Sequence, residues 1–360
     1  MTSNPSLFDK RQSSVIEWLR FAMACMVVLL HAAGKGELGH DTFSYIRILL
    51  AHGICRVAVP VFFIISGYLF FTKLSEWNAS VWRNKVKKRI HSLLIPYIAW
   101  NTLALFIFYA YAVIRAHRGG EVPVSFPAFF QQQKGFMYLW NTSNGSPIDY
   151  PLWFVRDLFL LSLGAPIIHV FLKKLKIPGL LLLVLGLFSI KSFPQGVLFY
   201  AIGAYLQMNR KNLLAVFSIF HVPCSIAALV CLVLLCVSFF EQGWWFQISQ
   251  KGFILFGTLS TFHLADILVG NKEIERNAFL SRCSFFIFAA HGILILDDFA
   301  FYICLHLFNG SSLTVQMADL VCRTGLTILI CLLLYYLTER FLPKTTRFLT
   351  GNRSSRLSHA

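Results

Sequence analysis

The chain has 360 residues, of which 57% are hydrophobic and 13% charged, against roughly 25% charged in soluble domains, and this excludes a water-soluble globule. A formal charge of +16 points to nucleic acid only until the basic residues are placed, because most fall in short segments between apolar runs. The nine cysteines scatter singly without a CxxC pair, which argues against zinc and disulfide frameworks, and no repeat divides the chain.

Apolar runs of spanning length fall near 15–33, 48–71, 92–114, 152–172, 178–192, 194–208, 213–240, 250–269, 284–307 and 317–342. The expected fold is therefore all-α, a polytopic bundle of about ten transmembrane helices. The first run follows Lys10 and Arg11 in the manner of a signal peptide, but its internal Arg20 and terminal His31 and the missing small-x-small site mark a retained helix. With both termini in the cytoplasm, the cytoplasmic segments hold 22 of the 32 Lys and Arg, including Lys73, Arg83, Lys85, Lys87, Lys88, Arg89, Lys173, Lys174, Lys176, Lys272, Arg276, Arg353 and Arg356. The charge becomes a topology signal, aided by attraction to anionic membrane lipid, and nucleic acid is not expected. The expected organisation is a cytoplasmic segment 1–14, a membrane domain 15–342 and a basic cytoplasmic tail 343–360.

Helix one carries Arg20 and His31 eleven residues apart, on nearly one face and about 16 Å apart along the axis. The next run reads RVAVPVFFIISGYLFF from Arg56, and a guanidinium in hydrocarbon costs roughly 2.5–3.5 kcal/mol on insertion scales, so it is normally kept for a task. Placed in antiparallel neighbouring helices, Arg56 and His31 lie level. Imidazole can accept a proton from an attacking hydroxyl, and a guanidinium can hold phosphate or an oxyanion. The outer segment 115–151 is long and polar, either an inert connector or a rest for a polar acceptor; its Asn141 and Asn144 glycosylation triplets are too common to weigh. Arg156 and Asp157 form a site pair or a structural ion pair, and His291 is interhelical glue or a participant. Asp319 and Arg323 read as a self-neutralised pair, Lys191 as a snorkelling group, Asp297 and Asp298 as facing outer water, and Trp244 and Trp245 as interface anchors.

RFAMACMVVLLH followed by RVAVPVFFIISGYLFF resembles the signature pair of the acyltransferase-3 family of integral membrane acyltransferases. RNKVKKRIHSLLIPYIAW, with Arg89, Pro96 and Tyr97, resembles the family's basic cytoplasmic run. PLWFVRDLFLLSLGAPII, SFFIFAAHGIL with His291, and TERFLPKTTRFL with Glu339 resemble later motifs, so the likeness spans nearly the whole chain. Phe21 stands where the family often has Gly, and Glu17 where Asp is common. The segment after the last helix suggests the membrane-only form, similar to O-acetyltransferases of bacterial surface polysaccharides in the cytoplasmic (inner) membrane.

The resemblance implies acyl transfer, most often of acetyl from cytoplasmic acetyl-CoA, to a hydroxyl of a cell-envelope glycan or lipid-linked saccharide, without a metal. His31, Arg56 and Arg20 are the expected catalytic residues, with His31 as general base or transient acyl carrier. Arg83, Lys87, Lys88 and Arg89 are expected at the CoA phosphates, or serve as a plain positive anchor. Ser66, Trp153, Arg156, Asp157, His291 and Glu339 form a second tier. The competing reading is a transporter or flippase for an envelope precursor, against which stands the lack of symmetry between the halves. A sensor or assembly factor leaves the His and Arg unexplained.

Overall fold

The computed structural model describes residues 5–72, 77–142, 145–190, 194–269, 278–308 and 310–352; Lys73, Asn144, Lys191, Lys272, Arg276, Arg353 and Arg356 lie outside them, as does the end of the basic tail. The described residues form helices and connecting turns, with no strand among them. In order these are α1 (Pro5–Ala33), α2 (Thr42–Phe70), α3 (Ala79–Gly119), α4 (Phe126–Gln132), α5 (Trp153–Leu163), α6 (Ala165–Ser189), α7 (Gln195–Met208), α8 (Leu213–Ile219), α9 (His221–Ser238), α10 (Trp244–Val269), α11 (Phe279–Leu307), α12 (Leu313–Phe341) and α13 (Pro343–Thr350). Seven of them, α1 to α3 and α9 to α12, are long and apolar enough to cross a membrane. Exposed Leu229, Val237, Val321 and Leu329 on these helices form the surface that suits lipid.

The expected fourth to sixth runs are built differently. Gly164 divides the first of them into α5 and the beginning of α6, and α6 bends where Lys176 takes φ 47°. Pro178 follows two residues later and removes a helical N–H, which explains a bend at this point. The last run gives α7, only 14 residues long.

Side chains close the helix starts. Asp41 accepts from the Ser44 N–H at 3.0 Å ahead of α2, and Asn78 accepts from the Val81 N–H at 3.0 Å ahead of α3. The C-terminus of α1 is held by Arg47, whose guanidinium donates to the carbonyls of Ala33 (2.9 Å), Gly36 (3.1 Å), Glu37 (2.9 Å) and Lys35. Lys35 also pairs with Asp297, tying the end of α1 to α11.

The central packing sets α1 against α11 and α2, and α2 against α7. At the α2–α7 crossing, Gly67 lies against the Tyr200 carbonyl and Gly203 against the Ile64 carbonyl, closer than any β-carbon permits. Three helices carry wide π-type turns, at Leu49–Gly53, Ile90–Leu94 and His291–Ala300. Within the last, Ile293 leaves helical geometry (φ −92°, ψ 82°) and Leu294 is left-handed (φ 60°), a strain of about 1–3 kcal/mol for a non-glycine residue. These turns adjoin Arg56, Arg89 and His291 in the chain.

Candidate active site

His31 occupies the last turn of α1, the end that Arg47 holds. Arg56 lies in a 3₁₀ turn, Ile54–Val57, that follows the π turn of α2; Gly53 between them is non-helical (φ −109°, ψ −101°). The disturbed ladder leaves the Ala51 carbonyl to accept from the Arg56 Nε at 2.9 Å. His31 and Arg56 line one small chamber of about 110 Å³, walled also by Cys55, Trp153, Gln195 and Phe288. The pair predicted from two separate helices is thus brought to one space.

Two further rings meet His31. His291 stacks on it at 5.5 Å between centroids, and Tyr150 meets it edge-on at 4.8 Å. His291 is fully buried, and its Nδ1 lies 3.0 Å from the Ile287 carbonyl, a contact that requires the proton on Nδ1 and leaves Nε2 as a bare acceptor. That Nε2 has no hydrogen-bond partner among the described residues. Beside Tyr150 in the chain, Asp149 is completely buried; its N–H donates to the Asn101 Oδ1 at 3.1 Å, while both carboxylate oxygens lack a partner among the described residues. Burial pushes the Asp149 carboxyl well above the usual carboxylate range. Tyr150 and Asp149 carry no helical periodicity that singles them out in the sequence, though the polar stretch ending at Tyr150 marks their neighbourhood.

A much larger cavity, about 1,110 Å³, shares Phe288 with the chamber and is lined by Arg20, Lys87, Lys88, Arg89, Arg282 and Arg347, with the carboxylate of Glu17 among them. Arg20 therefore shares this basic cavity rather than the His31 chamber. Arg89 donates to the Ser66 carbonyl at 3.3 Å and lies over the Phe70 ring, which fixes it at the cavity wall. Ser66 also lines the cavity; Arg83 is exposed and does not. Arg282 lies 3.7 Å from Glu339, so the expected terminal Glu supports a cavity arginine. Arg156 pairs with its neighbour Asp157 at 2.9 Å and donates to the Trp140 carbonyl at 2.7 Å, which makes this pair a brace between α5 and the preceding segment. Asp319 and Arg323 pair at 2.6 Å, as their spacing suggests. Asp297 and Asp298 are engaged rather than simply facing water, the first by Lys35 and the second by the Tyr111 hydroxyl at 2.8 Å.

The chamber and the basic cavity have one wall in common. Phe288 lines both, and its ring centroid lies 4.6 Å from Phe154 and 6.2 Å from Phe62, which stand on the basic side. Phe288 also lies 6.1 Å from the His291 ring. Three phenylalanine rings form a septum between a predominantly basic cavity and a chamber holding one imidazole and one guanidinium. Phe288 is one of 36 phenylalanines, and nothing in its sequence context distinguishes it.

A family model described as an acyltransferase domain, acyltransferase-3, matches residues 14–336. The chain belongs to the acyltransferase-3 family. It is a multi-pass membrane acyltransferase, and the all-helical bundle expected from its apolar runs is the architecture observed. Along nearly its full length it is similar to the succinoglycan biosynthesis protein ExoH of Rhizobium meliloti (strain 1021), 23% identical over 96% of this chain and 94% of that protein. It is also 32% identical to a serine/alanine racemase of Enterococcus gallinarum over 174 residues, which cover 48% of this chain but only 22% of that protein. No solved structure matches the chain.

Proposed function

We propose that this acyltransferase moves an acetyl group from cytoplasmic acetyl-CoA to a hydroxyl of a cell-envelope glycan or lipid-linked saccharide, in the cytoplasmic membrane of a bacterium. The observation that carries the proposal is the septum: a predominantly basic cavity and the His31 chamber lie back to back, sharing Phe288. The cation-lined cavity suits the phosphates of a coenzyme A, with Arg20, Lys87, Lys88 and Arg89 as its ligands. The positive-inside rule assigns this end, and both termini, to the cytoplasm. The similarity to a succinoglycan biosynthesis protein supports a polysaccharide acceptor.

In this reading the thioester arm passes the phenylalanine rings into the chamber. His31 takes the proton of the acceptor hydroxyl while that oxygen bonds to the thioester carbonyl carbon. The Arg56 guanidinium stabilises the oxyanion that develops. The carbon–sulfur bond then breaks, the ester remains on the acceptor, and the coenzyme A thiolate receives the proton from His31. In the variant route, His31 Nε2 carries the acyl group between the two substrates. His291, stacked on His31, holds the imidazole in place.

The test is incorporation of acyl label into envelope glycans by membranes holding the wild-type chain, His31→Ala, Arg56→Lys or no chain, with acetyl-CoA and succinyl-CoA as alternative donors. Label from acetyl-CoA is expected with wild type, to vanish with His31→Ala, and to fall at least tenfold with Arg56→Lys, because a point charge does not replace a planar fork. Normal transfer by correctly inserted His31→Ala sinks the site, and label from succinyl-CoA alone replaces acetyl with the dicarboxylic group.

A further inference from the structure

The far side of Tyr150 holds a separate pocket of about 300 Å³, between the segment around α4 and the broken turn of α11. Its walls include Phe129, Gln133, Ser146, Tyr150, Asp297 and Asp298. Gly292 and Leu294 line it too, so the interruption of α11 after His291 opens this space. Its volume lies at the lower end of the range for small-molecule sites, as suits one sugar ring.

We infer that this pocket is the acceptor subsite and that it takes an uncharged pyranose ring. The inference rests on the acyltransferase reading above and deepens it by naming the class of acceptor. Sugar hydroxyls both donate and accept, and the lining answers both needs: carboxylates accept, the Gln133 amide does both, and the Ser146 hydroxyl does both. Aromatic walls suit the apolar face that a pyranose presents between its hydroxyls. Asp297 is neutralised by Lys35, but Asp298 is held only by the neutral Tyr111 hydroxyl and no Lys or Arg lines the pocket among the described residues, so a uronic acid or other anionic ring meets repulsion from Asp298.

Tyr150 connects the pocket to the chemistry. Its ring lines the pocket on one side and meets His31 on the other at 4.8 Å. Its hydroxyl is buried without a hydrogen-bond partner among the described residues. One aromatic ring thus lies between a sugar held here and His31, so the pocket holds the ring beside the one whose hydroxyl enters the His31 chamber. The Tyr111 hydroxyl and Lys35 hold Asp298 and Asp297 from outside the lining, orienting both carboxylates before any ligand arrives.

The experiment uses the full chain in lipid nanodiscs and saturation-transfer NMR with two probes, methyl β-D-glucopyranoside and methyl β-D-glucopyranosiduronate. Saturation is expected on the neutral glycoside and at least fivefold less on the uronate. Gln133→Ala is expected to lower the neutral signal at least fivefold, and Asp298→Asn, which still accepts from Tyr111, to raise the uronate signal. Thermal melting confirms that both variants are folded. No saturation of the neutral probe, or equal saturation by folded Gln133→Ala and wild type, overturns the inference. If His31-dependent label transfer persists in that case, the acyltransferase reading stands and only the pocket falls. If transfer from acyl-CoA is absent while the neutral glycoside binds as described, the transferase reading fails and the chain retains a glycan pocket.

Discussion

Asp149 is a carboxyl with no exposed surface and no partner for either oxygen among the described residues, so the fold holds it as the neutral acid. The sign of its effect on stability follows from linkage. Its folded pKa is raised above the unfolded value, so the unfolded chain gives up this proton from about pH 4 upward while the native chain keeps it. Stability from this site is therefore present at acid pH and is lost as pH rises toward the folded pKa. Asp149→Asn removes the titration while keeping the shape. Its stability should match wild type near pH 4 and exceed it increasingly as pH rises toward the folded pKa, the gap widening by at most about 1.4 kcal/mol per pH unit, as read from melting curves at each pH. Parallel melting curves for the two proteins across that range refute the assignment. Legibility differs sharply between such residues. His31 and Arg56 stand out in the sequence because ionisable groups inside apolar runs are costly and rare, whereas Asp149 and Tyr150 lie in a polar connecting segment where an Asp and a Tyr carry no signal. Only the folded chain shows that one is buried and the other touches His31.

At the scale of elements, hydrophobic run length was enough to reveal a helical bundle, because a spanning helix needs about 20 apolar residues whatever its neighbours. Pairing was not visible, since it depends on residues far apart in the chain. The closest example is the α2–α7 crossing, where Gly67 and Gly203 let two backbones touch. A β-carbon at either position collides with a carbonyl oxygen of the facing helix, and backbone yields less readily than a side chain. Gly203→Ala should therefore destabilise the protein by about 1–3 kcal/mol, as overpacking does. Gly325→Ala on α12 meets nothing within 4 Å and should stabilise it, by up to about 1 kcal/mol, through helix propensity. Thermal unfolding in one detergent checks both, and equal shifts for the two variants contradict the close crossing. The wide turns were equally hidden. Leu294 adopts a left-handed backbone without the Gly or Asn that usually announces one, and tertiary packing around His291 has overridden local preference.

For the whole molecule, the proposed reaction sets two demands that oppose each other: an acyl group must reach His31 from the basic cavity, and the membrane must stay sealed. The phenylalanine septum meets both if its rings part only for the incoming arm. The three ring centroids stand 4.6–6.2 Å apart between the 1,110 Å³ cavity and the chamber. Phe288 is the ring shared by the two sides, so it is the position where size should trade sealing against passage. Phe288→Ala removes a buried ring, at a cost of about 3–5 kcal/mol to the fold, and Phe288→Leu retains most of the volume. In liposomes carrying a pH gradient, both variants should dissipate the gradient faster than wild type, Ala more than Leu, and hydrolysis of acyl-CoA without acceptor should rise in the same order. Phe288→Trp should do the reverse, keeping the gradient and binding acyl-CoA normally while transferring label at least tenfold more slowly. Because Leu and Trp both fill the site, a loss of activity from misfolding alone predicts no opposite effects on leak and transfer. Wild-type leak in folded Phe288→Ala, together with normal transfer in Phe288→Trp, means that the acyl group reaches His31 by another route.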